Sequence, residues 1–293
     1  MPPHAFSLGP QSLRYASFQD SSAGRGLLQE AEVPVSSSWF GDGVIGGPVH
    51  EESALHAALE TLMGKVVESP KKANLVLAGE WVRSTYLELD HVPKRRAELD
   101  EVVQWKLRQV IPFRVDDVRL SHVPVGDREA NRFLVSFSID RFLRQLEATF
   151  AAQDIQIGSI QPVSVALFGL IPSTQGLDAL LWGSANAVSL IAREDGEPVL
   201  LRYRRFNSDR SREATVRRDL RLSRSWIEEN SNQDLVRMSI AAREEDRTDL
   251  ERWCREDLGA KTVQALDLSA HNLPAADVWK LAPLLGAVSR RVA

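Results

Sequence analysis

ELDEVVQWKLRQVIPFRV, Glu98 to Val115, is the stretch on which the reading of this chain turns. At about 100° per residue, Leu99, Val102, Val103, Leu107 and Val110 fall on one stripe, so the segment reads as an amphipathic helix with that stripe in a core. Glu98, Asp100 and Glu101 occupy its first turn, where the helix dipole favours negative charge, and Lys106 and Arg108 come later, where it favours positive charge. Pro112 lacks an amide hydrogen and biases Ile111 away from helical angles. The helix therefore ends near Val110 or Ile111, and Phe113 opens an extended segment. Trp105 lies about 120° from the centre of the apolar stripe. Two readings of it stand: it packs under a neighbouring element, as buried tryptophans do, or it faces a partner, as tryptophans at binding hot spots do.

Working outward, Asn74 to Ala78 is a continuous apolar run typical of a buried strand, and Val82 to Leu89 is a second strand. Glu51 to Val67 repeats leucine and valine at helical spacing. Ala5 to Phe18 alternates around Gly9 and Pro10 as a hairpin, and Gly41 to Pro48, GDGVIGGP, reads as a flexible loop. Beyond the central helix, Val118 to Val125 and Arg132 to Ser138 read as strands. Ile139 to Gln153 reads as a helix with Phe142, Leu146 and Phe150 inward. Asp195 and Gly196 mark the turn of a hairpin between Ala187–Ala192 and Pro198–Phe206. Val216, Leu220 and Ile227 share one face of a helix starting near Arg212. Thr262 to Leu268 is strand-like, and a helix runs from Ala275 onward. No internal sequence repeat stands out.

With 43% hydrophobic and 26% charged residues, the 293-residue chain has the make-up of a soluble globular protein with room for two domains, which excludes disorder as a whole. A net charge of -4 gives no global attraction to nucleic acid or anionic membrane. The single cysteine, Cys254, excludes an intramolecular disulfide and a cysteine-rich zinc site. No apolar run reaches the roughly 18 to 20 residues that cross a bilayer, and no secretory signal is visible, so a reducing cytosolic home is expected. Walker-type, HExxH and GxSxG motifs are absent. The six histidines have no partners at metal-ligand spacing. Asp116–Asp117 and Glu244–Asp246 suit solvated turns or helix faces better than acid/base chemistry. Arginine concentrates between Arg202 and Arg224, either as a solvated strand and helix face balanced by Glu228, Glu229 and Glu244–Asp246, or as an anion surface. Without interleaved aromatics, a nucleic-acid groove is disfavoured.

The segment from Leu75 to Val123, LVLAGEWVRSTYLELDHVPKRRAELDEVVQWKLRQVIPFRVDDVRLSHV, resembles the PilM family, the actin-like, FtsA-related cytosolic proteins of type IV pilus assembly. It carries in order the family's strand and turn, glutamate-rich helix start, helical aromatic at Trp105, and Pro112–Phe113 pair before a strand. Weaker similarity runs through Arg132 to Pro162, and LAPLLGAVS, Leu281 to Ser289, resembles the family's closing helix; together these cover about half the chain.

The resemblance implies an α/β fold of two actin-like, ribonuclease H-like lobes with an FtsA/PilM-type insertion. The first lobe would comprise residues 1–81 and 158–182, the inserted subdomain 82–157, and the second lobe 183–293. It implies a partner, the cytoplasmic N-terminal tail of a PilN-like inner-membrane protein, with pilus motor ATPases beyond it. Trp105, Arg108, Pro112, Phe113 and Arg114 are the candidate tail-binding residues, and the protein would sit in the cytoplasm, peripheral at the inner membrane. Nucleotide-binding relatives carry an acidic residue and small residues in their first hairpin. Here Ser7 to Arg14 has no carboxylate, and Pro10 removes an amide from a loop that would cradle phosphate. The second phosphate loop, expected near Ala187 to Ala192, and the adenosine-side glycines, expected near Ser239 to Arg243, lack glycine. No cofactor and no catalysis are therefore expected. The alternatives are an actin-like ATPase using ATP and Mg through substitutes such as Ser7 and Arg14, and a stand-alone cytosolic domain of the GspL or MshI type.

Overall fold

The opening hairpin pairs β1 (His4–Leu8) with β2 (Ser12–Ser21), its turn closed by the Gly9 amide donating to the Ser12 carbonyl at 3.0 Å. In this computed structural model the residues described are 3–21, 24–41, 49–111, 117–126, 131–171, 175–206, 211–231 and 233–289. Pro172 and most of the expected loop at Gly41–Pro48 lie outside them. β3 (Gly24–Pro34) continues the meander. After helix α1 (Glu52–Met63), β4 (Lys72–Leu77) and a later strand, β8 (Gln156–Pro162), complete a five-stranded sheet in the order β3-β2-β1-β4-β8. α1 buries Leu55, Leu59 and Leu62, as its helical spacing requires.

β4 and β8 pair in parallel, and the chain between them builds a sheet of its own. It runs through β5 (Arg83–Glu88), α2 (Arg96–Val110), β6 (Val118–Pro124), β7 (Arg132–Ile139) and α3 (Asp140–Ala151). β7 is central in the antiparallel order β5-β7-β6. α2 lays Val103 and Leu107 on Leu87, Phe133, Val135 and Phe137, with Leu99 and Val102 at the margin. The expected stripe is thus right except at its end: Val110 is 56% exposed. The helix stops there, and Ile111, turned into extended geometry (φ -106°, ψ 139°), packs against the cluster instead.

The remaining chain forms α4 (Val163–Phe168), β9 (Leu177–Gly183), β10 (Ala187–Glu194), β11 (Glu197–Arg205), α5 (Arg212–Asn230), β12 (Leu235–Ala241), α6 (Glu244–Trp253), a π-helical turn at Cys254–Leu258, β13 (Thr262–Ala265) and α7 (Val278–Val288). The β10–β11 hairpin turns at Asp195 and Gly196, whose φ angles of 49° and 96° are those an Asp-Gly turn supplies. Strand order is β11-β10-β9-β12-β13, with β12 parallel to both β9 and β13. Both five-stranded sheets therefore share one plan: a three-strand meander, extended by two further strands beside its first strand. By their internal contacts the residues divide into two units, Met1–Phe6, Tyr15–Glu30 and Val163–Ala293 in one, Ser7–Arg14 and Ala31–Pro162 in the other.

Cys254 sits in the core of the second sheet, fully buried among Leu250, Trp253 and Leu258. Burial pushes its thiol up to about 12, so the thiolate that would react is scarce at neutral pH. A thiol reagent at pH 8 is expected to label this cysteine only after denaturant is added; stoichiometric labelling of the native chain within minutes would contradict the packing.

Candidate functional site

The small β5-β7-β6 sheet has two faces, and among the described residues β5 and β6 are its outer strands. Its α2 face is sealed by the apolar cluster and pinned by polar contacts: His122 on β6 meets Asp100 on α2 at 2.6 Å, and Lys106 reaches Asp90 at 3.6 Å. These contacts fix the roll of α2. Trp105 then falls on the outer side of the helix, 58% exposed, which overturns the reading that packs it under a neighbouring element. Arg108, one turn on, is also exposed, and residues three apart on a helix are surface neighbours. Pro112, Phe113 and Arg114 lie outside the described residues, so only Trp105 and Arg108 of the expected set are placed.

Period-2 alternation puts Ser84 and Tyr86 of β5, Ser121 and Val123 of β6, and Leu134 and Ser136 of β7 on the opposite face. Ser84 and Ser136 share a hydrogen bond of 2.8 Å, and the Arg132 guanidinium lies 4.1 Å from the centre of the Tyr86 ring. Burial pushes the Tyr86 hydroxyl well above its ordinary value, and that hydroxyl has no hydrogen-bond partner among the described residues. Val123 remains 41% exposed on β6, an edge strand. Sequence reading passed over Tyr86 and Arg132. The alternation of β5 was visible, but which of its faces α2 would cover was not.

Two hairpin turns lie in or beside the stretches where phosphate loops were expected. The first is Gly9–Gln11, as the sequence suggests. The second is Ser184–Asn186, between β9 and β10 and just ahead of the Ala187–Ala192 stretch near which the loop was expected; Ala187–Ala192 itself is strand. β9, LDALLWG, is buried throughout, so the sequence shows no alternation to announce where the strand stops. Ser239–Ala241 ends β12, and Ile240, Ala241 and Ala242 line a cavity of about 100 Å³ with Arg247, Asp267 and Val278. No group of three or more potential metal ligands occurs among the described residues.

The arginine-rich segment is largely neutralised from within. Arg204 and Arg202 meet the buried Asp219 at 3.0 and 4.0 Å, while Arg217 and Arg221 clasp the buried Asp257 at 2.6 and 2.9 Å. Arg224 pairs with Glu228 and Arg212 with Asp246. For Asp257, burial opposes the charge, but the two arginine hydrogen bonds outweigh it and hold the carboxyl below its ordinary value. Arg202, Arg204, Arg217 and Arg221 thereby hold α5 to β11 and to the π-helical turn, Arg212 ties α5 to α6 and Arg224 pairs within α5, which is the balanced-face reading with acids, several of them buried, as the counter-charge.

No family model and no curated protein matches the sequence. Among solved structures, a chain of a PilM–PilN type IV pilus biogenesis complex superposes with a TM-score of 0.77 at 14% identity, covering 99% of this chain and 99% of that one. A Bacteroides thetaiotaomicron protein of unknown function with an actin-like ATPase fold gives 0.55 at 12% identity, over 94% of this chain and 93% of that one. The fold is actin-like. The cytoplasmic domain of EpsL, an inner-membrane component of the Vibrio cholerae type II secretion system, also resembles it, with a TM-score of 0.50 at 14% identity over 82% of this chain and 81% of that one. The duplicated strand order of the two large sheets belongs to this fold. The β5-β7-β6 sheet is the segment inserted between the parallel strands β4 and β8. Among the described residues, no helix is long and apolar enough to cross a membrane.

Proposed function

We propose that this chain is a PilM-like adaptor that holds the cytosolic N-terminal tail of a PilN-like inner-membrane protein in a type IV pilus or related secretion machine. What supports the reading most is the end-to-end likeness, 99% of both chains, to a component of a PilM–PilN complex. A fold alone does not assign a function; the β5-β7-β6 sheet adds a site of suitable form. Its outer strand β6 offers an open edge to which an extended peptide can hydrogen-bond. Trp105 supplies an exposed aromatic anchor on the same small sheet's helix, and residues 82–157 would be the partner-binding subdomain. The protein would then sit in the cytoplasm, at the inner membrane through its partner, with motor ATPases as further contacts.

Replacing Trp105 with alanine tests the anchor. Because the side chain is more than half exposed, stability is expected to change by less than about 0.5 kcal/mol. Affinity for the tail peptide, measured by titration calorimetry, is expected to fall by about tenfold or more, as for a hot-spot tryptophan. Unchanged affinity with an intact fold would remove Trp105 from the site. The likeness to the EpsL cytoplasmic domain favours a second reading, a cytosolic secretion-system domain of the GspL type. A gene neighbour encoding a PilN-like protein supports the first; one encoding a type II secretion component supports the second.

A further inference from the structure

We infer that this chain has lost the nucleotide site its fold implies, so that it engages its partner without nucleotide control. The second half rests on the adaptor reading; the first does not. A phosphate-binding turn works by presenting free backbone N–H groups, and its metal needs a carboxylate nearby. In the β1–β2 turn, the Gly9 amide is spent on the Ser12 carbonyl at 3.0 Å and Pro10 has no amide to offer. From Ser7 to Arg14 there is no carboxylate, and the Arg14 guanidinium, which could have stood in as an anion contact, is held by Glu32 at 3.0 Å.

The β9–β10 turn is closed in its own way. The Ser184 amide donates to the Ala187 carbonyl at 2.9 Å, the Ala187 amide donates to the Ser184 hydroxyl oxygen at 3.2 Å, and that hydroxyl contacts the Asn186 side-chain oxygen at 3.0 Å. Residues 182–187 include no acid. Hydrocarbon fills the space beside the turn: a Cβ added at Gly183 would meet Leu250 Cδ1 at 3.2 Å and the Ala242 Cβ at 3.4 Å.

At the end of β12, where the fold places adenosine-side glycines, Ala241 and Ala242 line a cavity of about 100 Å³. Sites for molecules of nucleotide size run from about 300 Å³ upward. Arg247, the cation on that wall, is paired with Glu244. Three observations converge: the Gly9, Ser184 and Ala187 amides are turned inward, both turns lack a carboxylate, and the cavity beside β12 is too small.

The experiment titrates the 293-residue chain with Mg-ATP and Mg-ADP, records melting curves at millimolar nucleotide, and measures affinity for the PilN-like tail peptide with and without nucleotide. A ligand at about 100 times its dissociation constant raises the melting temperature of a chain this size by several degrees. The expected result is no heat, no shift, and one tail affinity under all conditions. Saturable nucleotide binding, or a tail affinity that moves by more than about fivefold, the lower end of allosteric coupling, overturns the inference. Absence of tail binding in every condition overturns the adaptor reading and the claim of nucleotide-free partner engagement, while the melting curves alone decide whether the nucleotide site is lost.

Discussion

Replacing Gly286 with alanine is expected to destabilise the protein by about 3 kcal/mol, the upper end of the cost of overpacking. Helix α7 crosses α4 at this residue, so closely that a Cβ added there would lie 2.0 Å from the Ala166 carbonyl oxygen and 2.7 Å from its carbon. Both atoms are backbone, so no rotamer change relieves the clash, and one helix must move away from the other. Around the crossing, Leu281, Ala282, Leu284, Leu285, Ala287 and Val288 of α7 are buried, with Ala166 and Leu167 of α4, and separating the helices opens contacts among all of them. In a chain of this length the loss corresponds to a fall in melting temperature of about 6 to 12 °C. Ala166→Gly is the control. It removes a methyl group but leaves the carbonyl in place, so the double variant is expected to be no more stable than Gly286→Ala alone. A melting temperature for Gly286→Ala within a degree of the parent would mean that the two helices do not approach as the structure has them.

That contact shows what a sequence can and cannot disclose. Small residues in LAPLLGAVS mark Leu281–Ser289 as a packed helix, and the periodicity of the Glu98–Val115 stretch places α2 with the correct buried face. The duplicated strand order could not be read, because β3, β9 and β12 carry different signals from their counterparts. β3 begins with Gly24 and Gly26 and looks like a loop; β9 is apolar throughout; β12 alternates too briefly to be told from the surrounding chain. Shape is duplicated here without any repeat in residues. The site is legible to a similar degree. Helical direction sets Trp105 apart from the core stripe, but its exposure follows only from how Val103, Leu107 and the His122–Asp100 contact seat the helix on the sheet. The absence of carboxylates from both turns was visible in the sequence. That the Gly9, Ser184 and Ala187 amides are spent inside their turns follows only from Ser12, Ser184 and Ala187 standing where they do.

The second large effect is expected at Arg193, a charge buried to 2% exposure at the end of β10. Its Nε donates to the Gly196 carbonyl at 2.6 Å, its Nη1 donates to the Ile171 carbonyl at 3.0 Å, and its guanidinium lies 5.1 Å from the Phe168 ring centre. One side chain thus ties the β10–β11 turn to the end of α4. Nη2 has no hydrogen-bond partner among the described residues, and burial depresses the affinity of the group for its proton, partly countered by Glu197 and Asp178. Two effects therefore oppose each other when the charge is removed: relief of desolvation, which can make replacement of a buried ion by an apolar residue neutral or stabilising, and two carbonyls that lose this donor, the buried one of Ile171 at about 1 to 3 kcal/mol and the partly exposed one of Gly196 at less. The carbonyls win here, because Nε and Nη1 satisfy both with good geometry while only one guanidinium nitrogen is left unpaired. Arg193→Met, which keeps most of the volume, is expected to cost about 3 kcal/mol, and Arg193→Ala more, since it adds a cavity. Arg193→Lys is expected to recover little, because one ammonium must span two carbonyls that a planar fork reaches together. Chemical denaturation of the three variants checks the order. If the methionine variant proves more stable than the parent, desolvation dominates, and the charge at Arg193 would then have to be explained by something other than the fold it holds together.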